Sequence, residues 1–275
     1  MVEFKKLTEK EISAITGETG FQKAIVIKDY YITLILYLIK EVKGIYFKGG
    51  TALHKIFLDY ARLSEDIDLT ITRSVEEVRK DITKILKGSG FFKKIVKDKD
   101  VDGFVRLVVY YGGFSNEEGV VFIDINKRAK LIMKPETHKI NHLYSDSIPE
   151  FSFNTVAKKE LIAGKIMAAI GRNKPRDHYD IYEIIKAKLP IDIALVKKKS
   201  KISNQEFNII RMFNKAKKLK KKWDQDMDSL VVDKVTFQEV MTTLARYFKL
   251  KDEKDSVKDK KGKTNDKDSI MDDFF

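Results

Sequence analysis

Two aspartates one residue apart, Asp66 and Asp68 in DIDLTI, are the side chains of this sequence best spaced to do chemistry. On a β-strand, side chains at i and i+2 emerge on the same face. Two carboxylates held that way repel each other unless a cation joins them. Oxygen ligands of this kind suit Mg²⁺, which takes a few carboxylates together with the phosphates of a substrate. Ile67 and Leu69 have the opposite parity, so one short strand carries an apolar face and an anionic face. Alone, the pair describes a solvated surface strand at least as well. A third acid, Asp124 in VVFIDIN, stands among β-branched and aromatic residues, where a charge needs a reason. Beside the first pair it would activate a hydroxyl; without them it is a strand-end or edge residue.

Upstream, Lys48-Gly49-Gly50-Thr51 separates a strand candidate from a helix candidate. Adjacent glycines permit a tight turn with exposed backbone N–H groups, a helix N-terminus adds donors, and Thr51 adds a hydroxyl. Such a turn can cradle a triphosphate. It matches neither GxxxxGK[ST] nor GxGxxG, and an isolated Gly-Gly is more often an ordinary turn. Lys48, His54 and Lys55 flank it, and their plain placement is on the surface.

These residues need elements to hold them. The apolar run over 22–42 predicts a helix, GIYF over 44–47 a strand, Thr51–Tyr60 a helix and 66–71 a strand. Val75–Leu86 reads as a charged helix stopped by Gly88 and Gly90. Val105–Tyr111 and Gly119–Ile125 read as strands joined across GGFSNE. Beyond residue 155 the pattern is helical, over Thr155–Ile170, His178–Lys188, 204–222 and 235–249. An α/β half over residues 1–150 and a helical half over 151–250 are expected, with a charged, mobile tail over 251–275. That tail ends in IMDDFF, a short hydrophobic-acidic terminus expected to fray, with docking on a partner or on the chain's own body as the alternative.

Composition narrows the chemistry. The 275 residues include no Cys, which excludes thiolate metal sites, cysteine nucleophiles and disulfides. The four His, at 54, 138, 142 and 178, form no HExxH or similar cluster, so a histidine zinc site is not expected. With 43% hydrophobic residues the chain can build a core. The N-terminus lacks the apolar stretch of a signal peptide and no run is long enough to span a membrane, so the cytoplasm is the default. The net charge of +13 is concentrated: residues 186–222 hold 13 Lys+Arg and 2 Asp+Glu. Such a block suits a nucleic-acid backbone or the solvated face of a helix.

The stretch YFKGGTALHKIF…ARLSEDIDL resembles the nucleotidyltransferases of the AbiEii/AbiGii abortive-infection toxins, within the polymerase-β-like superfamily. The likeness rests on Lys48 through Leu53, on Arg62 through Leu69, and on Asp124 as third carboxylate. It extends to Lys165, Ala168, Arg172, Arg176, Asp177 and Asp180, which fit the family spacing KxxAxxxRxxxRDxxD. These motifs cover roughly residues 45–182. The resemblance implies an α+β fold: a polymerase-β-like domain with a mixed sheet, followed by a helical C-terminal domain. It also implies a nucleotidyltransferase using Mg²⁺ and an NTP. Asp66, Asp68 and Asp124 would be the metal ligands. Lys48, Gly49, Gly50, Thr51, Arg62 and Ser64 would bind substrate, Lys165 would neutralise the phosphates, and Arg172, Arg176 and Asp177 would contact substrate or brace the two halves against each other. Similar proteins are toxins of toxin–antitoxin or phage-defence systems, so a cognate antitoxin is an expected partner, and a tRNA or other RNA is a candidate acceptor. Two alternatives stay open: transfer to a protein or small molecule, and an inactive fold that only binds nucleic acid or a partner.

Overall fold

The structure, a computed structural model, describes residues 6–114, 117–172 and 174–249. In chain order its elements are α1 (Glu9–Thr19), α2 (Lys23–Ile39), β1 (Ile45–Lys48), α3 (Gly49–Ile56), β2 (Asp66–Ile71) and α4 (Val75–Gly88). Then come β3 (Lys94–Val101), β4 (Phe104–Phe114), β5 (Glu117–Asn126), β6 (Glu136–Lys139) and β7 (Ser152–Thr155). The helices α5 (Lys158–Arg172), α6 (Pro175–Lys186), α7 (Ile193–Ile202), α8 (Ala216–Met227) and α9 (Phe237–Tyr247) follow, with a 3-10 turn at Ile209–Met212.

The chain forms two compact units. One holds the residues up to Gly164 together with Ser229–Val232; the other holds Lys165–Asp228 and the residues from Asp233. The first contains a seven-stranded mixed sheet in the order β3-β4-β5-β2-β1-β7-β6. The β2–β5 and β1–β7 pairs are parallel and the others antiparallel. Period-two alternation sets its two faces. Ile67, Leu69, Val105, Leu107, Ile123 and Ile125 all point into the core and are at most 1% exposed. The intervening residues Asp66, Asp68, Arg106, Phe122 and Asp124 are half-buried.

Helix α2 is apolar nearly all round, which marks a core helix rather than a surface one. Helices α1 and α4 begin with capping boxes, Thr8 with Glu11 and Ser74 with Glu77, which satisfy orphan N–H groups at their starts. In the second unit, α6 packs against α8 and α9. Tyr182 donates to Glu239 at 2.6 Å, and the Trp223 indole donates to the Val235 carbonyl at 2.9 Å. His178 is buried, with its two ring nitrogens 3.0 and 2.9 Å from the carbonyls of Lys174 and Met212.

Several expectations need correction. The helix expected over 204–222 forms only from Ala216. Asn204 has a positive φ of 48°, and Asn208 is extended and caps the 3-10 turn, so the chain breaks twice first. The helix expected over Thr51–Tyr60 starts at Gly49 and stops at Ile56, because Asp59 and Tyr60 have positive φ and reverse the chain. Helices α1 and α7 and strands β3, β6 and β7 were not anticipated. His54 and Lys55, expected at the surface, are each 1% exposed. The tail over 251–275 lies outside the described residues. Among the described residues no helix is long and apolar enough to cross a membrane.

Candidate active site

The site is assembled by strand register. Asp68 on β2 pairs with Lys48 on β1 at one side and with Asp124 on parallel β5 at the other. Asp124 in turn pairs with Arg106 on β4, and Arg106 with Lys99 on β3. Register partners on adjacent strands share a face. One row across five strands therefore reads Lys48, Asp68, Asp124, Arg106, Lys99, two acids flanked by cations. Asp66 lies two residues before Asp68 on the same face, in register with Phe122.

The glycine turn abuts this row. Gly49 opens α3 with φ +82°. A Cβ there would lie 2.1 Å from Asp68 Oδ2, so glycine is demanded both by backbone conformation and by the carboxylate beside it. Thr51 is buried, and its hydroxyl donates to the carbonyl of Asp66. That bond ties the first turn of α3 to the strand carrying the acids. The turn and the strand carrying the aspartates are thus fastened to each other. Lys48 and Ser64 are half-buried at its edges, and Lys28 pairs with Glu65 at 3.1 Å. Arg62 is 2% exposed and donates through Nη1 to the Leu63 carbonyl at 2.8 Å, which fixes the loop entering β2.

Arg106 is the residue that sequence reasoning missed. Its Nε and Nη2 donate to both oxygens of Asp124, at 2.6 and 2.8 Å, and its Cζ lies 5.0 Å from the Phe122 ring centroid. The bonds to Asp124 hold the guanidinium even more firmly protonated than usual. A signal was present: an arginine in an otherwise apolar alternating strand, as anomalous in FVRLVV as Asp124 is in VVFIDIN.

The chemistry of the donor set suits a divalent cation. Asp66 and Asp68 share a face, and among the described residues the Asp68 carboxylate has no hydrogen-bond partner. The absent side chain of Gly49 is what admits this carboxylate against the turn. Among the described residues no three acidic or imidazole groups stand clustered as a ready metal cage. The two oxygens of Asp124 are turned onto Arg106.

The expected Lys165, Arg172, Arg176 and Asp177 set lies in the second unit. Lys165 is 6% exposed; its ammonium pairs with Asp177 Oδ1 at 3.2 Å and also with Asp180. Arg172 grips Asp177 with two bonds of 2.7 and 2.8 Å. Burial pushes the Asp177 carboxyl up, but Lys165 and Arg172 overcome that and hold it below the usual range. The cluster braces α5 against α6. Arg176 is half-buried on α6.

A mixed sheet with a glycine turn packed on paired strand carboxylates is an arrangement suited to nucleotidyl transfer. Residues 39–244 match the family described as nucleotidyl transferase AbiEii toxin, type IV TA system, and the chain belongs to that family. Its fold is similar to that of MenT4, the nucleotidyltransferase toxin Rv2826c of Mycobacterium tuberculosis H37Rv. That likeness has 18% identity over 92% of this chain and 93% of that one, with a TM-score of 0.67. It is similar also to JHP933 from Helicobacter pylori, with 18% identity over 84% of this chain and 92% of that one and a TM-score of 0.58. No curated protein matches the sequence.

Proposed function

We propose that this nucleotidyltransferase toxin transfers a nucleoside monophosphate from an NTP to a hydroxyl of an RNA, with tRNA as the candidate, using Mg²⁺ held by Asp66, Asp68 and Asp124. The observation that carries this is the row of two register-paired aspartates against which Gly49 is packed without a side chain. A bound Mg²⁺ would supply charge neutralisation on the triphosphate and on the leaving pyrophosphate. The backbone N–H groups of Gly49 and Gly50, at the start of α3, bind and orient the β- and γ-phosphates. Thr51 keeps that turn in place through its bond to Asp66. Asp124 accepts the proton of the acceptor hydroxyl. The hydroxyl oxygen then bonds to the α-phosphorus as the bond to pyrophosphate breaks.

Within the second unit, Asp177 and Asp180 hold the Lys165 ammonium and Arg172 holds Asp177, and this set is assigned to bracing α5 against α6. Lys48, Arg62 and Ser64 frame the turn. An RNA acceptor is supported by the exposed lysines of α8, at 217, 218, 220, 221 and 222. Total RNA and total protein incubated side by side with each α-³²P-labelled NTP test the assignment. Label entering RNA in the wild type and lost in D66N and D68N is expected. Label in protein would move the acceptor to a polypeptide, and label persisting in both variants would overturn the site.

A further inference from the structure

The guanidinium of Arg106 occupies the carboxylate assigned here as third ligand and proton acceptor. Bidentate pairing engages both oxygens of Asp124, at 2.6 and 2.8 Å, and among the described residues that carboxylate has no other partner. The pairing takes one lone pair on each oxygen, and the fixed positive charge beside the other two opposes a second cation there. The pairing is built into the fold. Val105 and Leu107 are each 1% exposed in the core, which forces Arg106 onto the open face, and antiparallel register sets it opposite Asp124.

The arrangement also answers a problem of charge. Parallel register sets Asp68 and Asp124 side by side on adjacent strands, where two bare carboxylates repel. Arg106 neutralises one of them from within the chain. Phe122 offers it a second place to rest. Its Cζ lies 5.0 Å from that ring, so the guanidinium has a cation–π partner besides Asp124.

We propose that Arg106 is an internal counter-ion that a divalent cation must displace from Asp124, so that the third carboxylate is released to the site only when metal arrives. This rests on the assignment of Asp66, Asp68 and Asp124 to the metal. Arg106 is a positioning residue in this scheme, acting through Asp124. A lysine cannot reproduce the fork, so the two cations are not equivalent here.

The test is Mn²⁺ binding to the full chain without nucleotide, followed by calorimetry and by electron paramagnetic resonance. R106Q should bind Mn²⁺ roughly fivefold more tightly than wild type, the fold-change expected for losing one competing, partly exposed ion pair. R106K should fall between them. A merely structural arginine would leave Mn²⁺ affinity unchanged or weakened in R106Q, and that result overturns the proposal. In wild type, Mg²⁺ titration should shift the Arg106 Nε–H resonance, assigned by its loss in R106K. This second readout holds even if R106Q folds poorly, and an unmoved resonance at saturating Mg²⁺ also overturns the proposal. D66N and D68N separate the two levels. If they leave Mn²⁺ binding intact, the metal assignment itself fails. If they abolish it while R106Q does not tighten it, only the role of Arg106 fails.

Discussion

Gly49 carries more of this site than a residue without a side chain would suggest. It combines φ +82° with a Cβ position 2.1 Å from Asp68 Oδ2. Alanine there would strain the backbone and push the carboxylate out of register with Asp124. The backbone penalty is about 1–2 kcal/mol. The larger effect is on catalysis, because a displacement of about 1 Å can cost about 100-fold in rate. G49A should therefore stay folded by circular dichroism yet lose about 100-fold in nucleotidyl transfer. Activity within twofold of wild type would show that the turn does not position Asp68. Asp66, Asp68, Asp124 and the glycine turn were legible because each breaks the pattern of its surroundings. Arg106 breaks its pattern too, but its meaning depends on a pairing 18 residues away, and strand register is not written in local spacing. Lys165 was legible as a residue, while its grip on Asp177 and Asp180 appears only when α5 and α6 are packed.

At the scale of elements, the glycine turn depends on how α3 is fastened to its neighbours. Lys55, at the end of α3, buries its ammonium between Asp29 and Thr33 of α2, at 2.9 Å each, and Tyr60 at 2.8 Å. Tyr144 adds a bond to Asp29 at 3.1 Å, and Tyr60 donates to the Asn141 carbonyl at 2.9 Å. Removing one partner of a buried ion pair costs about 3–5 kcal/mol, since the other charge is left unmatched. K55M should lose stability on that scale in urea titration, and D29N/K55M should recover part of it. A K55M midpoint equal to wild type would mean the network contributes nothing. Nothing in the sequence linked Asp29 to Lys55, because a lysine between a glycine turn and a charged loop looks solvated. The four-residue strands β6 and β7 escaped for a related reason: they are too short to show a period, and β7 adds to the sheet through a single register pair with β1.

The same network sets an alkaline limit. Burial, then Asp29, pushes the hydroxyls of Tyr60 and Tyr144 well above their ordinary 10.0. Above that value the unfolded chain releases these protons while the folded chain keeps them. The unfolded state then binds fewer protons, so stability falls as pH rises toward the folded values. Lys55 runs the other way: burial lowers it below 10.5, opposed by Asp29, so the folded state sheds its proton first and gains stability as pH rises to 10.5. Above 10.5 the lysine has no further effect, while the two tyrosines, joined by Tyr31, pushed by burial to about 12, go on lowering stability. The melting temperature should hold up to about pH 9 and drop between about pH 10 and 12. Y60F/Y144F should show a shallower drop, and an unchanged slope would place the alkaline sensitivity elsewhere.

For the whole molecule, the question is where a net charge of +13 resides and what it meets. The concentration of basic residues over 186–222 was plain in the sequence, but whether they formed one face was not. Helix α8 answers this in its own geometry. Ala216, Leu219, Trp223 and Met227 form a buried stripe, Lys217, Lys218, Lys220, Lys221 and Lys222 are exposed over the first two turns, and Asp224 and Gln225 are exposed after them. Among the described residues none of these five makes an ion pair or hydrogen bond. Unpaired, exposed lysines on one helix contribute little to folding and are free to meet phosphates. Each phosphate contact to a single strand contributes about 0.7 to the slope of log affinity against log salt, and about 0.9 on a duplex. Replacing Lys217, Lys218 and Lys221 by glutamine should therefore weaken RNA binding at low salt and flatten the slope by about 2–3. The melting temperature should not move, since no partner is lost. Filter binding at several salt concentrations gives both quantities. An unchanged slope would assign the acceptor to another surface and leave α8 as a solubilising face.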